Sequence, residues 1–402
     1  MELKEGYKQT EVGVIPSDWE VKKLGECLLK NPDYGINASA VPLFDALPTY
    51  IRITDISDDG LFIKNDNVSV NHPQAKLCFL EKGELVCLLG IASVGKTYLY
   101  NQEDGKLVFA GFLIRVRPRQ KILDSKYLKF FTQTSLYWNW VGVNSMRSGQ
   151  PGINGREYSQ LPIPFPPTKA EQTAIAAVLS DADALIQSLE KLIGKKRNIK
   201  QGAMQELLKP KEGWVVKKLG KVGEIITGST PPTEVKEYWN GNIPWITPTD
   251  ISLKKDIFYS EREITLLGLK VIRKLPANAL LVTCIASIGK NAILRRAGSC
   301  NQQINAIVPD SNNNIEFLYY LIENRNQYLL SKAGITATNI ISKKDFTEIT
   351  FSIPLLKEQT RIATILSDMD AEIAALEIKL EKYKQIKQGM MQELLTGRTR
   401  LV

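Results

Sequence analysis

The sequence predicts a mixed α/β fold written twice: two α/β heads, each followed by a long helix, with the helices forming an antiparallel coiled coil about an internal pseudo-twofold axis. Three observations predict it. An ordered set of motifs recurs along the chain, each copy ends in a heptad-spaced tail, and each head mixes strand-like with helix-like hydrophobic patterns.

The repeat comes first. Trp19-Glu-Val-Lys-Lys-Leu-Gly25 returns as Trp214-Val-Val-Lys-Lys-Leu-Gly220, an offset of 195. Ile53-Thr54-Asp55-Ile56-Ser57 returns at the same offset as Pro248-Thr249-Asp250-Ile251-Ser252. Ile91-Ala-Ser-Val-Gly-Lys96 matches Ile285-Ala-Ser-Ile-Gly-Lys290 at offset 194. Residues 170–209 and 357–396, at offset 187, are identical at 23 of 40 positions. The order holds while the offset shrinks, so the chain is an internal duplication with a shorter second copy. The stretches 26–49 and 221–244 share little, as do 58–84 and 253–278. Divergent heads on matching tails suggest two different ligands read from one frame. The boundaries that follow are a first head at 1–167, a first helix at 168–209, a second head at 210–355, and a second helix with its tail at 356–402.

In the first tail, Thr168 and Glu171 fit a capping box at the helix start. Apolar residues then fall at Ile175, Val178, Ala182, Leu185, Leu189, Leu192, Ile199 and Ala203, in steps of three and four interrupted by Lys196. The second tail repeats the spacing at Ile362, Ile365, Met369, Leu376, Tyr383, Ile386 and Met390, with Leu355 in place of the threonine cap. Pro210 and Gly397 stand just past the two ends, where helices stop. Such a stripe outruns the cover a small head can give, and its natural partner is the other copy. The alternative is a helix packed on its own head.

Within the heads, Tyr50–Ser57, Glu84–Gly90, Leu107–Val116, Ile243–Ile251, Ala279–Ile285 and Gln303–Val308 read as strands. Ser125–Val141 and Ile315–Ala333 read as helices. Residues 101–150 carry 8 basic and 3 acidic side chains, and 251–300 carry 9 and 3. One such window is ordinarily a solvated face; its recurrence in a duplicated frame points toward nucleic acid.

Composition narrows the function. The 402 residues hold 52 Lys plus Arg, 43 Asp plus Glu and one histidine, a net charge of +9. A single His72 removes most histidine-based catalysis and nearly all histidine metal sites. Five cysteines without C-x-x-C spacing resist a disulfide framework and fit a reduced cytoplasm. The longest nearly apolar run, 277–288, has 12 residues, against about 18 for a membrane span.

Gly90-Ile-Ala-Ser-Val-Gly95-Lys96-Thr97 satisfies the P-loop pattern. The repeat is its control: Cys284-Ile-Ala-Ser-Ile-Gly289-Lys290-Asn291 lacks the first glycine and the hydroxyl, and the residues after Thr97 read as strand rather than the required helix. A turn between strands, with Lys96 and Lys290 facing a phosphate backbone, is the better reading. Asn31-Pro-Asp-Tyr34 reads as a plain turn, and no carboxylate cluster stands out. Two polar segments remain, 144–156 and 331–344. The candidate contacts to nucleic acid are Lys96, Arg147, Gln150, Asn154 and Arg156 in the first copy, and Lys290, Asn291, Thr336, Asn339, Lys343 and Lys344 in the second. Arg, Gln and Asn suit bidentate contacts to base edges, whereas Lys, Ser and Thr suit phosphates. The alternative is an ordinary glycine-rich connection.

The whole chain resembles the specificity subunit of a type I restriction–modification system. The resemblance rests on the two Trp-x-Val-Lys-Lys-Leu-Gly entries and the opening Thr10-Glu-Val-Gly-Val-Ile-Pro-Ser-Asp-Trp19. It rests equally on the exits Ile163-Pro-Phe-Pro-Pro through Glu171-Gln172 and Ile353-Pro-Leu-Leu-Lys-Glu358-Gln359, and on the endings Met204-Gln-Glu-Leu-Leu208 and Met391-Gln-Glu-Leu-Leu395. It implies two target-recognition domains, each reading half of a bipartite asymmetric site in double-stranded DNA, with the coiled coil as a ruler for the spacer. It also implies two modification subunits docked on the frame, together with restriction subunits. The chain itself would be non-catalytic and cofactor-free, with S-adenosylmethionine, ATP and Mg²⁺ on the partners. Rival readings are a P-loop nucleotidase, a coiled-coil scaffold without DNA recognition, and a recognition subunit serving a type II-like methyltransferase–nuclease.

Overall fold

The computed structural model describes residues 5–89, 94–146, 152–251, 254–333 and 339–401. The chain divides into two compact units, Met1–Glu190 with Lys379–Val402, and Lys191–Ile378. Both divisions fall inside the tail helices, Lys169–Leu207 and Leu356–Leu394, each 39 residues long. Each unit therefore holds one head, the start of one helix and the end of the other.

In the first unit an antiparallel sheet runs in the order Asp33–Tyr34, Leu113–Val116, Leu85–Leu88, Thr97–Leu99. Beside it Leu107–Phe109 lies parallel to Thr49–Ile51. Glu20–Lys23 pairs with Pro162–Phe165 at the head's entry and exit. The second unit repeats this scheme. Gly223–Thr227, Ile304–Pro309, Ala279–Thr283 and Asn291–Leu294 take the same order, Trp239–Ile246 runs parallel to Ser299–Cys300, and Val215–Lys218 pairs with Thr350–Ile353. Stretches that share little sequence thus share a topology.

Several predicted elements are shorter than their hydrophobic runs. Leu107–Val116 is two strands divided by a turn at 110–112, and Tyr50–Ser57 yields only Thr49–Ile51 before a 3₁₀ turn at Ile53–Asp55. The helix read at 125–141 is two, Ser125–Phe131 and Ser135–Ser145, because Thr134 caps the second with its own hydroxyl. The one read at 315–333 divides into Ile315–Asn324 and Asn326–Ser331. Asn31-Pro-Asp-Tyr34 is not a plain turn: Asp33–Tyr34 is an edge strand, and the Asp33 carboxylate receives Arg115 Nη2 at 2.7 Å and Arg117 Nη1 at 2.8 Å. The P-loop reading fails on geometry, since Gly95-Lys96 leads directly into the strand Thr97–Leu99; residues 90–93 lie outside the described residues.

The tail helices run antiparallel within each unit. In the first, Asp183 pairs with Lys387 at 2.6 Å and Glu190 with Lys384 at 2.8 Å. In the second, the counterparts Asp370 and Lys200 pair at 2.7 Å, and Glu377 and Arg197 at 2.5 Å. The buried seam differs from the predicted one at every second step. Ile175, Leu179, Ile186, Leu189 and Ile193 are buried, whereas Leu185, Leu192 and Ile199 remain 39%, 38% and 46% exposed. The second helix shows the same shift, burying Leu366 and Ile373. The Thr168 hydroxyl accepts the Glu171 N–H at 3.1 Å, but the Glu171 carboxylate is buried against the guanidinium of Arg400 rather than completing a capping box.

A buried glutamine fastens each helix to its head. Gln172 accepts the N–H of Asp124 at 2.9 Å and donates to the Ile122 carbonyl at 3.1 Å. Gln359 accepts the N–H of Asn314 at 2.8 Å and donates to the Asn312 carbonyl at 3.2 Å. Asp124 and Asn314 are the N-caps of Ser125–Phe131 and Ile315–Asn324, so each buried amide grips the start of a head helix. Aromatic cores close over the seam: Tyr127, Phe130, Tyr137 and Tyr158 with Ile175 and Leu395, and Phe317, Tyr320 and Phe346 with Ile362 and Leu208.

Candidate nucleic-acid interface

In each head, described residues of the glycine turn at Gly95 or Gly289 meet described residues of the polar segment, 144–156 or 331–344. In the first, Gly95 turns the chain at φ +91°, held by its N–H to Leu88 O at 3.2 Å and by Tyr137 Oη donating to its carbonyl at 2.7 Å. Leu89, at the start of that turn, lies against Gly152 of the second segment. In the second head, Gly289 takes φ +86° and donates to Thr283 O at 2.9 Å. There Ala286 N–H donates to Asn339 O at 3.1 Å, and Ile341 N–H donates to Cys284 O at 2.9 Å. Ala286 adopts φ +60°, a conformation costly for a residue with a Cβ, so the turn is held by these bonds rather than by preference.

The individual residues divide by environment. Arg156, Lys290, Asn339, Lys343 and Lys344 are exposed. Lys343 and Lys344 open a short helix capped by Ser342, and Lys290 stands at the rim of its turn. Three others are engaged internally. Lys96 forms an ion pair with Asp58 within a cleft of about 390 Å³ that also contains Lys129, Asp183 and Trp138. Asn154 spends its side chain capping Gly155–Ser159, accepting from Arg156 N and Glu157 N at 3.0 Å. Asn291 is buried, its amide donating to Tyr319 O at 2.8 Å between its strand and the helix Ile315–Asn324. Arg147, Gln150 and Thr336 lie outside the described residues.

The basic windows also prove less available than their counts. Arg115 and Arg117 belong to an internal cluster with Asp33 and Glu84, in which Arg115 is 4% and Glu84 8% exposed. Burial pushes the Asp33 carboxyl up, but the two guanidiniums outweigh it and hold it below the ordinary carboxylate value. In the second head Lys255 and Arg295 are tied to Glu316, and Arg295 also to Asp256. Four cations counted as surface charge therefore hold the heads together. Exposed Arg262, stacked 4.0 Å above the Trp239 ring, stays at the surface.

His72 caps a 3₁₀ turn, accepting Gln74 N at 3.2 Å. The cysteines are buried thiols, with burial pushing Cys87 and Cys300 up to about 12 and Cys284 to about 11. Among the described residues no group of three or more His, Cys, Asp or Glu is placed to hold a metal ion, and no helix is long and apolar enough to cross a membrane. Sequence reasoning missed the turns 110–112 and 301–303, joined to the residues that open the glycine turns by Leu89 N–H to Phe112 O at 3.1 Å and Cys284 N–H to Gln303 O at 2.8 Å. Their equivalence is hidden by the divergence of the heads, and the backbone bonds reveal it.

Comparison with known proteins agrees with this picture. The family model for the type I restriction modification DNA specificity domain matches twice, over residues 16–201 and 211–388. A putative type I restriction enzyme MjaX specificity subunit from Methanocaldococcus jannaschii is 26% identical across 99% of this chain and 97% of its own length. The MjaIX specificity subunit of the same organism is 38% identical over 167 residues, 40% of this chain and 38% of that relative. The EcoR124I/EcoR124II specificity subunit of Escherichia coli is 30% identical over 54% of this chain and 57% of its own. The fold is similar to that of a type I restriction–modification S subunit from M. genitalium, with a TM-score of 0.60 at 14% identity and 98% coverage of both chains. A chain solved in a study of type I restriction–modification complex assembly gives a TM-score of 0.62 at 16% identity, covering 96% of this chain and 99% of that one. With the specificity-domain model matching twice and covering most of its residues, the chain belongs to the type I restriction–modification DNA specificity family.

Proposed function

We propose that this chain is a non-catalytic DNA-recognition subunit whose two heads each read one half of a bipartite, asymmetric site. The observation that carries the reading is a duplicated frame with one topology in both heads and different side chains on their loops. The relatives named as specificity subunits support it. Lys290, Lys343, Lys344 and Arg156 supply exposed cations for phosphates, and Asn339 supplies an amide at the same rim.

In this reading the tail helices set the spacer and carry two modification subunits, which restriction subunits join in the cytoplasm. S-adenosylmethionine, ATP and Mg²⁺ belong to those partners. The helix length is then a ruler. Inserting seven residues in each helix keeps the heptad seam and adds about 10 Å at 1.5 Å per residue. The preferred spacer should lengthen by about three base pairs at ~3.4 Å each. Mapping modified adenines in DNA from cells carrying the insertion checks it; an unchanged spacer discards the ruler.

A further inference from the structure

Two turns at equivalent places carry different chemistry at the rim of each head. Matching backbone bonds establish the equivalence. Ile36 N–H donates to Phe109 O at 3.0 Å, as Ser229 N–H does to Cys300 O at 2.8 Å. Ala110 N–H donates to Ile51 O at 3.0 Å, as Asn301 N–H does to Ile246 O at 2.9 Å. Gly35 and Gly228 occupy the same close approach, where a Cβ would strike the carbonyl oxygens of the facing turn. Asn37 therefore corresponds to Thr230, Gly111 to Gln302, and Phe112 to Gln303.

The side chains at these positions are poised differently. In the first head Gly111 leaves room for the Asn37 amide, which a Cβ there would displace, and the Phe112 ring stands 64% exposed. In the second, the Thr230 hydroxyl donates to Gln302 Oε1 at 2.7 Å and Asn301 Nδ2 donates to Gln303 Oε1 at 3.0 Å. Each bond uses one lone pair of a glutamine and orients its amide. The second lone pair and the Nε2 donor are left for another partner. A glutamine so presented matches the N6 and N7 edge of adenine, whereas an exposed ring suits the thymine methyl or a base face. The fold keeps the backbone of this turn and exchanges its side chains, as expected where two heads read different bases. The turn also abuts the start of the glycine turn, through Leu89 in one head and Cys284 in the other.

We propose that these turns determine sequence specificity, with Asn37 and Phe112 reading bases of one half-site and Gln302 and Gln303 reading bases of the other. The proposal rests on the DNA-recognition reading above. It is tested with the full chain assembled with its modification subunits and selected against a randomised duplex library. Gln302→Ala with Gln303→Ala should lower discrimination about tenfold at one or two base pairs of one half-site and leave the other half-site intact. Phe112→Ala should do the same in the other half-site. Gln303→Glu keeps the size but only accepts hydrogen bonds, so the preferred base should move toward cytosine. Preferences unchanged in all three variants, or loosened equally in both half-sites, overturn the proposal while the wild type stays selective. A wild type with no sequence preference overturns the recognition reading as well.

Discussion

At one register of the shared sheet the first head sets Asp33 opposite Arg115, and the second sets Ile226 opposite Ala306. Two residues further, Arg117 of the first head answers to Val308, which packs with Ile226 against the second head's apolar cluster. One frame thus accepts a buried ionic cluster or a plain apolar contact at the same backbone positions. The difference teaches that the topology comes from the shared strand order, close glycines and tail latches, while the chemistry between them is free to change. It also makes the two heads unequal in how they fail.

The largest effect should follow from cutting the ionic cluster in half. Arg115→Ala leaves Asp33 and the nearly buried Glu84 to share Arg117, at a cost of ~3–5 kcal/mol. Hydrogen exchange should show protection lost on Leu113–Val116 and kept on Ile304–Pro309. Asp33→Ile combined with Arg115→Ala copies the second head and should recover at least half of that loss. A double variant as damaged as the single one would break the comparison, because the frame would then depend on the charges.

A smaller effect tests what the heads have in common. Gln172→Ala and Gln359→Ala each leave a partly buried backbone N–H and a carbonyl without their side-chain partner, for about 1 kcal/mol. Gln359 should cost more, since it also donates to Pro354 O at 2.9 Å. Exchange protection at the starts of Ser125–Phe131 and Ile315–Asn324 is the readout; protection equal to wild type in both would remove the latch.

Much of this frame was legible in the sequence, because duplication repeats motifs and long helices repeat spacing. The seam was misplaced for a definite reason. Val178, Leu185, Leu192 and Ile199 and the row one residue later, Leu179, Ile186, Ile193 and Lys200, are both heptad-spaced and nearly equally apolar. The second copy breaks the tie: Ile365, Glu372, Lys379 and Ile386 stand against Leu366, Ile373, Leu380 and Lys387, and the lysines of the true row meet Asp183 and Asp370 across the helix pair. The candidate site was less legible. Exposed Lys290 and Asn339 follow from local polarity, but the burial of Asn291 and the engagement of Lys96 with Asp58 depend on residues far away in the chain. Arg115, counted as a surface cation, is fixed by Asp33 from a strand whose sequence reads as a turn.

The smallest effect is acid sensitivity, and it separates the heads by location. In the first, burial raises the Asp33 carboxyl while Arg115 and Arg117 lower it further, leaving it below its ordinary value. In the second, burial raises Glu316 while Arg295 and Lys255 likewise leave it lowered. A carboxylate held low in the folded state adds stability that is complete above its ordinary value, near 4, and is lost as pH falls through the folded value. Acid should therefore loosen Asp33–Tyr34 on Leu113–Val116 in the first head, and the start of Ile315–Asn324 in the second. The Ile226 to Ala306 register carries no titrating group and should keep its protection through the same range. The Asp33→Ile and Arg115→Ala double variant should become equally indifferent to acid at that sheet edge. If exchange there still rises below pH 4 as in wild type, the cluster is not what couples the first head to protons.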